Sequence, residues 1–158
     1  MQKTTLSEVL TTLTKPLIIV LLMLPLQLTA AGSSDDSQET KSAQPLKLAE
    51  RLIYKEDYAA AIKKLRATLE SDNRNADAWN LLGYASRKSG DTDAAENAYQ
   101  MALSIDQNHL GALEYQGELF ITLDRLTDAQ NNLDKLTELC PDGCEEQAEL
   151  ASALAKSK

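Results

Sequence analysis

Two thiols and one imidazole are the side chains of this 158-residue sequence best suited to chemistry, and their spacing limits what that chemistry can be. Cys140 and Cys144 enclose Pro141-Asp142-Gly143. Three intervening residues rather than two depart from the thioredoxin-type redox motif, and no βαβ pattern surrounds the pair to carry it. In an oxidising compartment a structural disulfide is the expectation. Closing so short a loop is worth about 2 kcal/mol in the chain-entropy account. A structural zinc site needs four ligands, and His109 is the only other soft ligand in the chain, so no metal is expected. His109, between Asn108 and Leu110, reads as a loop or helix-entry residue, because no nucleophile or carboxylate can be placed against it from sequence alone. The acidic pairs Asp35-Asp36 and Glu145-Glu146 read as solvated charge and as helix-start residues respectively. Without a catalytic signature, the expectation is a protein that is no enzyme and needs no cofactor.

The framework that must position these residues is helical. Aromatic residues make up 4% of the chain and there are only 6 Gly and 4 Pro, which fits β-rich architecture and disorder poorly. A content of 43% hydrophobic residues over this length describes one domain. The formal net charge is −8, and Lys3, Glu8 and Lys15 are the only charged residues before Gly32, so the acidic excess lies beyond them. That excess argues against nucleic acid as the main partner, since phosphate binding needs clustered Lys and Arg.

Residues 1–31 read as a secretory signal peptide. Lys3 and Lys15 precede an apolar run from Leu17 to Leu28, and Thr29-Ala30-Ala31 supplies small residues for cleavage after Ala31 or Ala30. The run is shorter than the ~20 apolar residues a membrane span requires. The alternative is an uncleaved segment 17–28 that tethers the domain to the membrane. Either way the expected location is an exported compartment, most simply the periplasm. Residues 32–43 hold no large apolar side chain, and a flexible leader is expected there.

From Pro45 onward the chain repeats with a period of 34. Leu48, Leu82 and Gln116 fall in register, followed by Ala49, Gly83 and Gly117, then Leu52, Ser86 and Phe120. Ala61, Ala95 and Ala129 follow, then Leu65, Tyr99 and Leu133, Thr68, Ala102 and Leu136, and finally Asn73, Gln107 and Pro141. Within the middle unit Trp79, Leu82 and Ser86 form one helical stripe and Ala95, Tyr99 and Ala102 another, and the two stripes should face each other. Gly83 and Ala95 are small where antiparallel helices must approach. Gly90 suits a left-handed cap and Thr92 a following N-cap. The predicted helices lie near 44–55, 58–71, 76–89, 92–104, 110–123, 126–139 and 144–156. In the last, Leu150 and Leu154 form an apolar pair four apart that suits a cap over the final repeat.

These residues at this spacing resemble the tetratricopeptide repeat (TPR) family. Trp79, Leu82, Gly83, Ala95, Tyr99 and Ala102 occupy the family's pattern places, with departures at Ser86 and Gln107. The resemblance implies an all-α fold, a right-handed α-solenoid of about three helix-turn-helix units (about 42–75, 76–109 and 110–143, within 44–143) and a capping helix and tail over 144–158. It also implies a module that binds a protein or peptide on a concave surface formed by the first helix of each unit. The positions corresponding to ligand contacts are Glu50, Ile53 and Tyr54 in the first unit, Asn80, Tyr84, Arg87 and Lys88 in the second, and Glu114, Glu118 and Ile121 in the third. Some members hold a peptide's terminal carboxylate there with Lys and Asn. Glu50, Glu114 and Glu118 depart from that pattern, so the implied partner has basic or mixed charge and an apolar anchor against Tyr54 or Tyr84. The alternative of another class is a membrane-tethered or self-associating assembly factor of an envelope complex. Membrane contact is expected only if the N-terminal segment stays uncleaved, and the oligomeric state is left open.

Overall fold

A computed structural model describes the backbone of residues 36–157 and the side chains of residues 44–157; the expected signal segment 1–31 and residues 32–35 lie outside the described residues. Among the described residues seven helices follow in order: α1 Asp36–Tyr54, α2 Tyr58–Ser71, α3 Ala76–Lys88, α4 Thr92–Ile105, α5 Leu110–Thr122, α6 Leu126–Leu139 and α7 Glu145–Lys156. No strand occurs among the described residues, and no helix among them is long and apolar enough to cross a membrane.

One expectation needs correction. The flexible leader read at 32–43 is helical from Asp36 on, where α1 begins, even though Pro45 inside that helix cannot donate to the carbonyl four residues back. Extending a helix already nucleated by packed residues adds one hydrogen bond per residue fixed, and hydrophobicity is not required for that.

The 34-residue period is visible in backbone hydrogen bonds. Where the first helix of each unit ends, the chain makes the same two-bond C-terminal motif: Asp57, Asp91 and Arg125 donate to the carbonyls of Leu52, Ser86 and Phe120, while Glu56, Gly90 and Asp124 donate to those of Ile53, Arg87 and Ile121. The motif needs a left-handed residue, and the same register place has φ of 59° at Glu56, 89° at Gly90 and 58° at Asp124. Four helices then start on a side chain that satisfies an otherwise unpaired amide: Asp57, Asn75, Asp91 and His109 accept from Ala60, Ala78, Ala94 and Ala112. The cap of α4 is thus Asp91 rather than Thr92, because the chain is still outside helical geometry at Asp91.

Small residues let the helices approach. A Cβ at Gly83 would stand 2.5 Å from the Tyr99 ring, and one at Gly117 2.6 Å from Leu150, so both glycines are seats for a large side chain of a neighbouring helix. Gly83 therefore faces Tyr99 in addition to the general α3–α4 approach that Ala95 permits. Two apolar clusters result. Ala49, Leu65, Leu69, Leu82 and Ala85 belong to the first, while Leu113, Phe120, Leu136, Leu150 and Leu154 belong to the second. Ala95, Tyr99 and Leu119 form a smaller cluster. Leu48 stays 38% exposed although its register mate Leu82 is buried. At the other end α7 packs on α5 and α6 and buries Leu150 and Leu154, the expected cap. Cys140 and Cys144 are joined by a disulfide with Cα atoms 5.8 Å apart, at the junction of α6 and α7.

Candidate functional site

The first helices of the units, α1, α3 and α5, neighbour one another in order, and α7 extends the row beyond α5. Five of the expected site residues, Glu50, Ile53, Tyr54, Tyr84 and Lys88, line one groove of about 430 Å³ along this row, joined by Glu56, Tyr58, Leu81 and Tyr115. Tyr54 is 90% exposed at its edge. At its centre the rings of Tyr84 and Tyr115 meet with centroids 4.9 Å apart. The Arg87 guanidinium carbon lies 5.6 Å from the Tyr84 centroid and 6.0 Å from that of Tyr115, and Arg87 donates to Glu118 at 2.5 Å. Lys88 Nζ lies 6.0 Å from the Tyr84 centroid. The aromatic pair is thus edged by two cations, with Arg87 crossing from α3 to α5.

Three expected contacts stand elsewhere. Asn80 and Glu114 are buried, and Ile121 packs beside the second apolar cluster. The expectation that Glu114 and Glu118 form a free acidic surface is corrected accordingly, since Glu118 is paired with Arg87 and Glu114 is only 3% exposed. Burial, followed by nearby Glu149, Glu118 and Glu146, pushes the Glu114 carboxyl up to about 8. At neutral pH it is mostly protonated. The Tyr115 phenol is pushed up to about 12, by burial first and Glu114 second. Burial also raises the Tyr99 phenol, and Arg87 opposes that. For Arg87 itself burial pulls downward, yet its neighbours Tyr99 and Glu118 outweigh that and hold the guanidinium above its ordinary value.

His109 does structural work, as the sequence implied. Its Nδ1 accepts from the Ala112 amide at 3.2 Å, which places the ring proton on Nε2, 3.1 Å from Asp77 Oδ1. Both ring nitrogens are thereby occupied. Among the described residues no group of three or more His, Cys, Asp and Glu is placed to hold a metal ion.

Sequence reasoning missed two contributors. Tyr115 sits one place away from the pattern positions, so counting by period passes over it. The α7 face lies beyond the repeats, yet Glu145, Glu149, Ser152 and Lys156 recur at helical spacing and line a second groove of about 570 Å³ with Glu118, Ala148 and Ala153. A larger cavity of about 890 Å³ opens where α2 and α4 stand apart, walled by residues including Leu69, Trp79, Leu82, Ala98 and Met101. Leu69, Leu82 and Ala98 there belong to the first apolar cluster, and Trp79 packs against it.

Residues 46–109 match the model of the tetratricopeptide repeat family. Tetratricopeptide repeat protein 37 of Xenopus laevis is 32% identical over 97 residues, which are 60% of this chain and 6% of that protein. The chain spans between 5% and 13% of the length of the curated relatives it matches. In fold the chain is similar to the type III secretion translocator chaperone SycD of Yersinia enterocolitica, with a TM-score of 0.68 and 20% identity, over 77% of this chain and 93% of that one. The same chaperone in complex with a peptide of the translocator YopD gives a TM-score of 0.63 and 22% identity, over 79% of this chain and 91% of that one.

Proposed function

We propose that this chain, whose residues 46–109 match the tetratricopeptide repeat family, is an exported, non-catalytic interaction module that holds a protein or peptide segment along the row of α1, α3 and α5. The observation that carries this reading is the Tyr84–Tyr115 pair with Arg87 and Lys88 at its edge, inside a groove that continues to the exposed ring of Tyr54. Tyrosines with an apolar body and a polar tip, held rigid next to Arg, are the residue types that dominate binding energy at interfaces. The fold of a chaperone known in complex with a peptide accords with it. With Glu118 paired and Glu114 mostly neutral, Glu50 and Glu56 remain as acids of the first groove and Lys88 as a cation, which suits a partner of mixed charge.

Export rests on the signal-like composition of residues 1–31, and the Cys140–Cys144 disulfide supports an oxidising destination. An uncleaved segment 17–28 would leave the same module at a membrane surface.

Peptides selected from a displayed library on the oxidised protein provide the test. Tyr84→Ala should weaken a selected peptide about 10- to 100-fold with unchanged helical circular dichroism. If Tyr84→Ala is without effect while Met101→Glu abolishes binding, the contact lies at the α2–α4 cavity instead.

A further inference from the structure

Leu52, Ser86 and Phe120 share one register place, and the middle unit has much the smallest side chain there. In the third unit that place is filled from within. Phe120 is buried in the second apolar cluster, with the Arg125 guanidinium carbon 4.2 Å from its ring centroid. Asn132, at the place of Ala98, donates to Gln116 Oε1 and to the Leu113 carbonyl, at the places of Leu82 and Trp79. The second unit has Ser86, Ala98 and Leu82 instead, and there the cavity of about 890 Å³ opens between α2 and α4. Its outer wall differs in the same sense: α4 contributes Ala94, Met101 and Ser104 where α6 carries Asp128, Lys135 and Glu138. The apolar opening is therefore particular to this unit and is not a consequence of the repeat.

The residues around it suit an aromatic ring. The Trp79 indole N–H donates to the Asn73 carbonyl at 2.9 Å, so its polar edge is satisfied and its apolar body is fixed beside the cavity. Met101, 41% exposed, adds a polarizable thioether of the kind that packs well against aromatic rings. Leu69 and Leu82 supply an apolar lining with no partner for a ring hydroxyl, which favours phenylalanine over tyrosine. Asn97 and Gln100 place two exposed side-chain amides on the rim, able to donate to and accept from a peptide main chain. Residues 1–35 cannot supply the ring, since they contain no Phe, Tyr or Trp.

We propose that the α2–α4 cavity is a second peptide site, taking a partner's phenylalanine side chain between Trp79 and Met101 at the place that Phe120 fills in the third unit. It shares no lining residue with the Tyr84 groove and does not depend on that reading.

The test uses the full oxidised chain and the capped peptide acetyl-Gly-Ala-Phe-Ala-Gly-amide. Trp79 is the chain's only tryptophan, so its indole N–H gives a single NMR signal from the cavity wall. The expected result is a saturable shift of that signal and of the Met101 methyl, with the peptide carrying alanine for phenylalanine bound about 10- to 100-fold more weakly. Ser86→Phe copies the third unit and should abolish the response without lowering the thermal midpoint. Met101→Lys, which copies Lys135 at an exposed place, should remove most of the response and decides the matter even if Ser86→Phe misfolds. Tyr84→Ala should leave it unchanged. An unchanged response in folded Ser86→Phe or in Met101→Lys, or equal binding of the alanine peptide, would overturn the proposal. So would 3-phenylpropionamide binding as tightly as the peptide, which assigns the cavity to a free aromatic compound. A Trp79 shift that grows with protein concentration alone and vanishes in Tyr54→Ala would also overturn it, because Tyr54, 90% exposed, is the ring a second copy would offer. Library-selected peptides that need Tyr84 score the first groove separately, so either reading can fail alone.

Discussion

Glu56 and Asp124 adopt at their register places the left-handed conformation that Gly90 adopts in the middle unit. An L-residue with a Cβ pays roughly 1–2 kcal/mol there, so Glu56→Gly should raise stability by about 1 kcal/mol, read as a higher denaturant midpoint with unchanged slope. Gly83 and Gly117 respond in the opposite sense. Gly83→Ala drives a Cβ into the buried Tyr99 ring and should cost about 1–3 kcal/mol, whereas Gly117→Ala meets the δ-methyls of Leu150, which can rotate, and should cost less. Equal midpoints for the two variants would contradict this seating. For Glu114 the sign follows from its raised midpoint: the folded chain keeps a proton that the unfolded chain gives up near 4.5, so stability falls as pH rises from about 4.5 to about 8. Glu114→Gln should flatten that fall and exceed the unsubstituted protein at pH 9 by on the order of 1 kcal/mol, while the two agree more closely at pH 5.

Helix α7 shows how the last described element is held. Its first turn carries Glu145 and Glu146 and its last turn Lys156, as the helix dipole favours, but Cys144 at its N-cap makes no side-chain cap bond. The disulfide to Cys140 ties that uncapped end to α6. Reduction should cost about 2 kcal/mol and act locally, because the closed loop is short. Hydrogen exchange should accelerate in the first turns of α7 on reduction while α1–α4 keep their protection. Uniform acceleration along the chain would instead mean that α7 unfolds only together with everything else.

At the scale of the whole repeat body, stability is distributed over two apolar clusters, one spanning α1–α4 and one centred on α5–α7. In such arrays each unit chiefly contacts its neighbours, so damage should spread weakly. Leu136→Ala, at a fully buried site of the second cluster, should cost about 2–5 kcal/mol and loosen α5–α7 more than α1–α3. Residue-resolved hydrogen exchange checks this, and equal loss of protection in both halves would show a single cooperative unit.

Periodicity sufficed for most of this architecture. A 34-residue recurrence of small and apolar residues predicts α2–α6 to within one residue at each end, and the Leu150–Leu154 pair predicts α7 as closely, because the repeat core is built from contacts between places at constant spacing, and spacing is what a sequence displays directly. The left-handed turn at Gly90, the helix-entry role of His109 and the capping role of Leu150 and Leu154 were legible from residue type and local spacing. The start of α1 was not, since helix extension over polar residues leaves no hydrophobic period to read. Nor was the character of the site. Counting by period put Glu114 and Glu118 on one solvated acidic stripe, but burial against α7 and pairing with Arg87 are contacts between helices with no common period. Tertiary structure alone decided that one of these carboxyls is mostly neutral at pH 7, that the other is neutralised across α3 and α5, and that Tyr115 meets Tyr84, because charge state and ring contact depend on what lies within a few ångströms in space.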